Sequence, residues 1–300
     1  MKPEVNDVLS WDKFLKGAES RSSYPPKKIE LFNRLIAHTK NFFLVSPYGA
    51  FTPGYIMLVS KKLIPSMSMI EDKNMDEFKW LISKVIHLIN KTYDRDVVYF
   101  EHGMCACVGG LDRAHLHFMS IQKNLKSEIV KKNIDKVLVL RRAGIKSVEI
   151  NGHELTNSHD IEHIMETSDA KDYKIKGNQY NYKDISNNLD INTWPFSTRS
   201  HSMKGGHYVF FKTKDKETSF LTNKNFQTQL GRQIIFEVEK ETNNNMKEVY
   251  NKEIKKNRFA NIWKWQEFSF EENMINTMSD MRLHLQNLQK NDQKYEFKTF

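Results

Sequence analysis

The sequence predicts an α+β fold, an antiparallel sheet with flanking helices, continued by an α/β C-terminal extension. Three observations predict it. Two apolar runs between residues 41 and 60 are split by a Pro/Gly-rich loop, as in strand–loop–strand. Residues 76–93 carry apolar side chains at the helical period, and residues 113–121 alternate apolar and polar like a strand. Over residues 30–121 the order is helix, strand, strand, helix, strand, strand, which is the plan of an antiparallel α+β domain.

Residues 1–29 are polar, contain Pro25-Pro26, and read as a leader lying against the body. ELFNRLIAHTK (30–40) has apolar positions 31, 32, 35 and 36 and predicts a short amphipathic helix. NFFLV (41–45) and YIMLVS (55–60) predict strands, with Pro47, Gly49, Pro53 and Gly54 turning the chain between them. Phe78, Leu81, Ile82, Val85, Ile86 and Ile89 define the next helix, and DVVYFEHG (96–103) a strand running into the Gly-rich stretch 104–112. RAHLHFMSI (113–121) predicts the following strand.

The second half is less regular. Residues 126–143 and 159–171 predict helices with VEING as a turn-bounded strand between them, and the Asn/Ser-rich segment 174–200 a long loop. HYVFF (207–211) and TSFLT (218–222) predict a hairpin, and residues 226–241 and most of 271–290 helices. The Lys/Asn-rich run 243–258 reads as a solvated linker or helix face. These elements divide into a leader (1–29), a core (30–125) and an extension packed on it (126–300).

Composition bounds the function. A 300-residue chain with 39% hydrophobic residues excludes a disordered protein. No apolar run approaches the roughly 18–20 residues of a membrane span, and the first residues lack the plan of a signal peptide. No membrane partner is expected. The 46 basic against 37 acidic side chains leave a surplus of 9, which permits a phosphate-bearing ligand without demanding one. Cys105 and Cys107 are one residue apart, so a disulfide between them would be strained, and the chain is expected in the reducing cytoplasm.

The informative stretch is Gly109-Gly110-Leu111-Asp112-Arg113-Ala114-His115-Leu116-His117-Phe118-Met119. Alternation on a strand puts Arg113, His115, His117 and Met119 on one face and Ala114, Leu116 and Phe118 on the other. Two imidazoles, a guanidinium and the amides of a glycine pair suit a phosphoryl group. His102, Cys105 and Cys107 are soft ligands at short spacing, but a fourth zinc ligand is not evident and no metal site is assigned. Trp263 and Trp265 serve either base stacking or, more commonly, core packing.

This segment resembles the signature of the histidine triad (HIT) superfamily of nucleotide hydrolases and transferases, His-φ-His-φ-His-φ-φ with φ apolar. Starting at Arg113 it matches both trailing apolar positions and replaces the first histidine by arginine. Starting at His115 it loses the third histidine and puts Ser120 at an apolar position, so the first alignment is preferred. Thr52-Pro53-Gly54-Tyr55 through Lys62 resembles the family's turn and strand ahead of its long helix. Phe100-Glu101-His102-Gly103 followed by Gly109-Gly110 resembles its strand and glycine loop. The match covers roughly residues 41–121, and Phe226 through Arg232 with Trp263-Lys264-Trp265 is faintly similar to the extension of longer HIT-like proteins.

The resemblance implies a nucleotidyl hydrolase or transferase in which His115 forms a covalent nucleotidyl-histidine, with His117 at a phosphate oxygen or the departing group. It implies phosphate or nucleotide contacts from Arg113, Glu101, Gly103, Gly109, Gly110 and Tyr55, and from Gln229 and Arg232 unless these lie on a solvated helix face. Tyr55 stands where histidine is frequent and Glu101 where asparagine is. No cofactor is required. The expected partner is a nucleotide substrate (a dinucleoside polyphosphate, a nucleotide sugar or a cap-like dinucleotide), with RNA as a second possibility and a monomer or homodimer as the assembly. The alternative reading is a catalytically degenerate nucleotide- or RNA-binding module within an RNA-processing assembly.

Overall fold

The computed structural model describes residues 34–104, 107–108, 111–140, 147–150, 152–156, 173–176, 181–186, 196–214, 216–222, 229–256, 261–265, 268, 270–289, 295 and 297–298. The leader, Gly109, Gly110, Cys105, the helix expected over 159–171 and residues 226–228 lie outside them. In chain order the elements are β1 (Leu35–His38), β2 (Phe42–Val45), β3 (Ile56–Ser60), α1 (Met75–Tyr93), β4 (Asp96–Gly103), β5 (Cys107–Val108), β6 (Leu111–Asp112) and β7 (His115–Ile121). There follow α2 (Ser127–Leu140), β8 (Ser147–Ile150), β9 (His153–Leu155), β10 (Tyr173–Lys176), β11 (Asn181–Ser186) and α3 (Phe196–Met203). The chain ends with β12 (His207–Lys212), β13 (Lys216–Thr222), α4 (Leu230–Thr242), α5 (Asn244–Lys256) and α6 (Glu271–Gln289).

Among the described residues the main sheet has eight strands in the order β1-β2-β3-β7-β4-β12-β13-β11, every neighbouring pair antiparallel. The fold is mixed α and β around a mainly antiparallel sheet. The sheet runs on past residue 125, because β12 pairs directly with β4, setting Val209 opposite His102 and Phe210 opposite Glu101. Smaller ladders join β10, β8 and β9, and β5 with β6.

At its middle the sheet is covered by helices on each face, and β2, β3, β7 and β4 are buried on both sides as near-continuous runs. One face, with Val59, Val98, Phe100, Met119 and Phe211, packs against Ile234, Ile235 and Phe236 of α4 and Ile134 of α2. The other, with Leu58, Tyr99, Leu116, Phe118 and Phe210, packs against Phe78, Leu81, Ile82 and Val85 of α1 and Met281 of α6. The helical spacing of α1 supplies that stripe, and the helix stops at Asp94, which adopts the left-handed conformation (φ 51°). Helix α4 is anchored at one end by a 2.6 Å ion pair from Arg95 to the buried Glu239.

Two local expectations change. Residues 35–38 form an edge strand on β2 in place of part of the helix expected over 30–40. Leu35 turns to one core and Ile36 and Ala37 to the other, so burial on both faces overrides the helical spacing. The segment 174–200, expected as a loop, contains β10, β11 and α3. Its polar composition reads as loop, but pairing of Asn181–Ser186 with β13 satisfies the backbone as an edge strand. Residues 244–256, within the Lys/Asn-rich run, are helical. No helix among the described residues is long and apolar enough to cross a membrane.

Candidate active site

The site is built on β4 and β7 at the middle of the sheet. The alternation of β7 puts His115 and His117 on the face of Met119 and Ile121, and antiparallel pairing sets His117 opposite Phe100 and Met57. The His117 ring stacks on Phe100, with centroids 4.6 Å apart and planes 8° apart. The His115 ring meets His117 edge-on at 4.7 Å. His102, two residues beyond Phe100 on β4, joins the same face, and its Nε2 accepts from the Gly231 N–H at 2.9 Å.

Helix α4 closes over this cluster. A Cβ on Gly231 would sit 2.3 Å from the Phe100 ring and 3.2 Å from His102 Nε2, so only glycine lets the first turn come this close. The next residue, Arg232, is buried at 4% exposure, which removes the solvated-face reading. Its guanidinium donates to the carbonyls of Trp263 at 3.1 Å and Gly49 at 2.6 Å. It also lies 5.2 Å from the Tyr55 ring centroid, where its charge offsets part of the effect of burial on the Tyr55 hydroxyl.

Two contacts set the protons on the imidazole pair. His115 Nδ1 lies 3.0 Å from the Arg113 carbonyl oxygen. A carbonyl only accepts, so Nδ1 carries the hydrogen and Nε2 keeps its lone pair. His117 Nδ1 lies 2.6 Å from the Tyr55 hydroxyl. Burial pushes the His115 imidazole down to about 4 and His117 well below its ordinary value, with His115, Arg232 and His102 adding repulsion at His117. Both rings are neutral at physiological pH. Each residue keeps a sliver of exposure, 8% for His115 and 9% for His117. Among the described residues neither Nε2 has a hydrogen-bond partner.

The structure relocates several residues expected around a phosphate. Glu101 lies on the opposite face of the sheet, at 0% exposure. One of its oxygens accepts from the Met67 N–H at 2.6 Å and the other binds the Tyr208 hydroxyl, so it faces away from the histidines. Gly103 shares that face, and a Cβ there would lie 1.9 Å from the Tyr208 ring, so the glycine makes room for an aromatic ring. The Arg113 side chain is buried at 2% exposure and donates to the Lys61 carbonyl at 2.6 Å, tying the start of β7 to the end of β3. Its contribution to His115 is the backbone carbonyl, which any residue supplies. Gln229 accepts from the Trp265 N–H at 3.2 Å, and Trp265 stacks on Tyr48 with 6.2 Å between centroids, so both are packing contacts here. Of the expected residues, Tyr55 reaches an imidazole directly, and Arg232 lies over the Tyr55 ring.

Sequence reasoning placed His102 only among metal ligands and passed over Phe100 and Gly231. The alternation of DVVYFEHG could have put Phe100 and His102 on one face, but nothing local ties them to His117 or to α4. Among the described residues no group of three or more His, Cys, Asp or Glu is arranged to hold a metal ion. A cleft of about 480 Å³ lies at the other end of β4, lined by residues including Asp94, Asp96, Lys123 and Lys212, and includes none of the histidines. The tautomer geometry weighs more than concavity here, because the cleft includes neither of the paired imidazoles. No protein-family model matches the chain, and no curated protein is significantly similar to it.

Proposed function

We propose that this protein is a nucleotidyl hydrolase or transferase that works through a covalent nucleotidyl-histidine at His115. The observation that carries the reading is the contact between His115 Nδ1 and the Arg113 carbonyl, which leaves Nε2 unprotonated beside a neutral partner imidazole. Such a nitrogen is a competent nucleophile at neutral pH without a base to deprotonate it. Its lone pair forms the bond to the α-phosphorus, the bond from phosphorus to the leaving oxygen breaks, and the leaving group takes that electron pair. Attack by water or another acceptor then breaks the phosphorus–nitrogen bond and returns the pair to Nε2, with the acceptor's proton passing to solvent. The resemblance of residues 113–119 to the histidine triad signature supports the same choice of nucleophile, and the backbone nature of the Arg113 contact explains how an arginine serves at the first position.

Intact-protein mass spectrometry tests this on wild type and His115→Ala, mixed with a panel of nucleoside polyphosphates and quenched under mildly alkaline conditions. The expected result is a nucleoside-monophosphate adduct, or turnover, in wild type alone. Equal product from both proteins would remove His115 as nucleophile. Binding without adduct or turnover would favour the degenerate binding module.

A further inference from the structure

We propose that the site is selective for phosphoanhydride bonds, whose leaving group departs as a stable anion, because the buried Tyr55 hydroxyl fixes His117 as a hydrogen-bond donor that does not surrender its proton. This rests on the nucleotidyl-histidine reading above and narrows its substrate class.

Tyr55 is fully buried, so its hydroxyl proton must find an acceptor inside the protein. Arg232 lies 5.2 Å from the Tyr55 ring centroid, and a guanidinium can only donate, so it cannot take the phenol proton. Among the described residues the acceptor in reach is His117 Nδ1 at 2.6 Å. The hydrogen of the His117 ring itself therefore sits on Nε2. The paired imidazoles thus present complementary atoms, a lone pair on His115 and an N–H on His117.

That N–H can stabilise charge on a phosphoryl or leaving oxygen, but it is poorly placed to be given away. Losing it would leave an imidazolate unless the Tyr55 proton followed onto Nδ1, which would create a buried phenolate. Burial raises the Tyr55 hydroxyl above its ordinary value, and Arg232 offsets only part of that rise. His115 commits its hydrogen to Arg113, and His102 accepts at Nε2 from Gly231. No carboxyl among the described residues hydrogen-bonds His115 or His117, and Glu101 faces the reverse side. A phosphate leaving group, with a second pKa of about 6, departs as an anion. An amine or a simple alkoxide has to be protonated as it leaves.

The experiment compares one nucleoside, the one that gives the adduct, as a dinucleoside triphosphate, a 4-nitrophenyl phosphodiester and a 5′-phosphoramidate with the purified full chain. The triphosphate and the nitrophenyl ester are expected to exceed the phosphoramidate in kcat/KM by about 100-fold, the usual scale of a missing general acid. A phosphoramidate cleaved as fast as the triphosphate, with wild-type turnover intact, would overturn this inference alone. Turnover of none of the three would overturn the nucleotidyl-histidine reading with it. Long-range ¹H–¹⁵N spectra of the imidazoles give an independent readout. Wild type should show His117 protonated at Nε2, and Tyr55→Phe, which removes one oxygen and leaves the ring, should lose that single tautomer. It should also lower kcat about 10-fold with KM nearly unchanged, as removal of a positioning contact at the reacting group does. A His117 hydrogen on Nδ1 in wild type would overturn the relay.

Discussion

The two faces of β4 and β7 bury titratable groups a residue apart and handle them in opposite ways. On the α1 face, Glu101 is enclosed by the Met67 N–H and the Tyr208 hydroxyl, and burial pushes its carboxyl up to about 8, so it is protonated at neutral pH. On the α4 face, His115 and His117 are also held neutral by burial, yet each satisfies only Nδ1 and keeps Nε2 beside a small exposed surface. A saturated buried network rigidifies a core, whereas a half-used one leaves an atom with chemistry to do. Burial and perturbed ionisation alone do not distinguish the two. The unused ring nitrogen does.

A pair of substitutions breaks this contrast most sharply. His115→Ala is expected to lower adduct formation at least about 1,000-fold while staying within about 1 kcal/mol of wild-type stability. Glu101→Ala should do the reverse, costing about 2–4 kcal/mol by stranding the Met67 N–H and the Tyr208 hydroxyl while leaving the adduct yield per folded molecule unchanged. Urea unfolding and mass spectrometry of the same samples measure both, and an inactive but stable Glu101→Ala protein would contradict the assignment of faces. Gly103→Ala comes next. Its methyl group would collide with the Tyr208 ring and should cost about 1–3 kcal/mol, read as a lower unfolding midpoint.

A further test separates the faces by pH. Folded Glu101 keeps a proton between its ordinary 4.5 and about 8, where the unfolded chain has released it. Its stabilising contribution is therefore full below pH 4.5 and is lost as pH rises through 8. His115 carries the opposite sign: its folded value of about 4 lies below the ordinary 6.5, so its contribution is full above pH 6.5 and is lost as pH falls through 4. Glu101→Gln, which can accept from Met67 and donate to Tyr208, should flatten the decline in unfolding midpoint between pH 5.5 and 8.5. Adduct formation, which needs only neutral His115, should stay level from pH 5.5 to 8. A rise of activity through pH 6.5 would show that the histidines are solvated.

The parts of the site legible in the sequence were those set by local periodicity. The alternation of RAHLHFMSI put His115 and His117 on one face, the spacing of residues 76–93 defined α1, and HYVFF with TSFLT marked the hairpin of β12 and β13. The misplacements came where a neighbour distant in sequence decides. Glu101 and Gly103 stand beside His102 in the chain, but the pleat turns them to the other face, where the ring of Tyr208 from β12 covers them. Residues 35–38 carry a spacing compatible with a helix and become a strand because β2 offers an edge and two cores offer burial.

The sequence by itself determined α1, the strands β2, β3, β4 and β7, the hairpin of β12 and β13, the α+β class and the paired imidazoles, because side-chain period and turn chemistry act over a few residues. Tertiary structure alone decided which atom of each imidazole is free. That choice depends on a carbonyl two residues before His115, which the backbone turns toward the ring, and on a hydroxyl 62 residues before His117. At His117 a hydrogen bond between elements sets the proton position, and no local pattern encodes a partner that only folding brings within 3 Å.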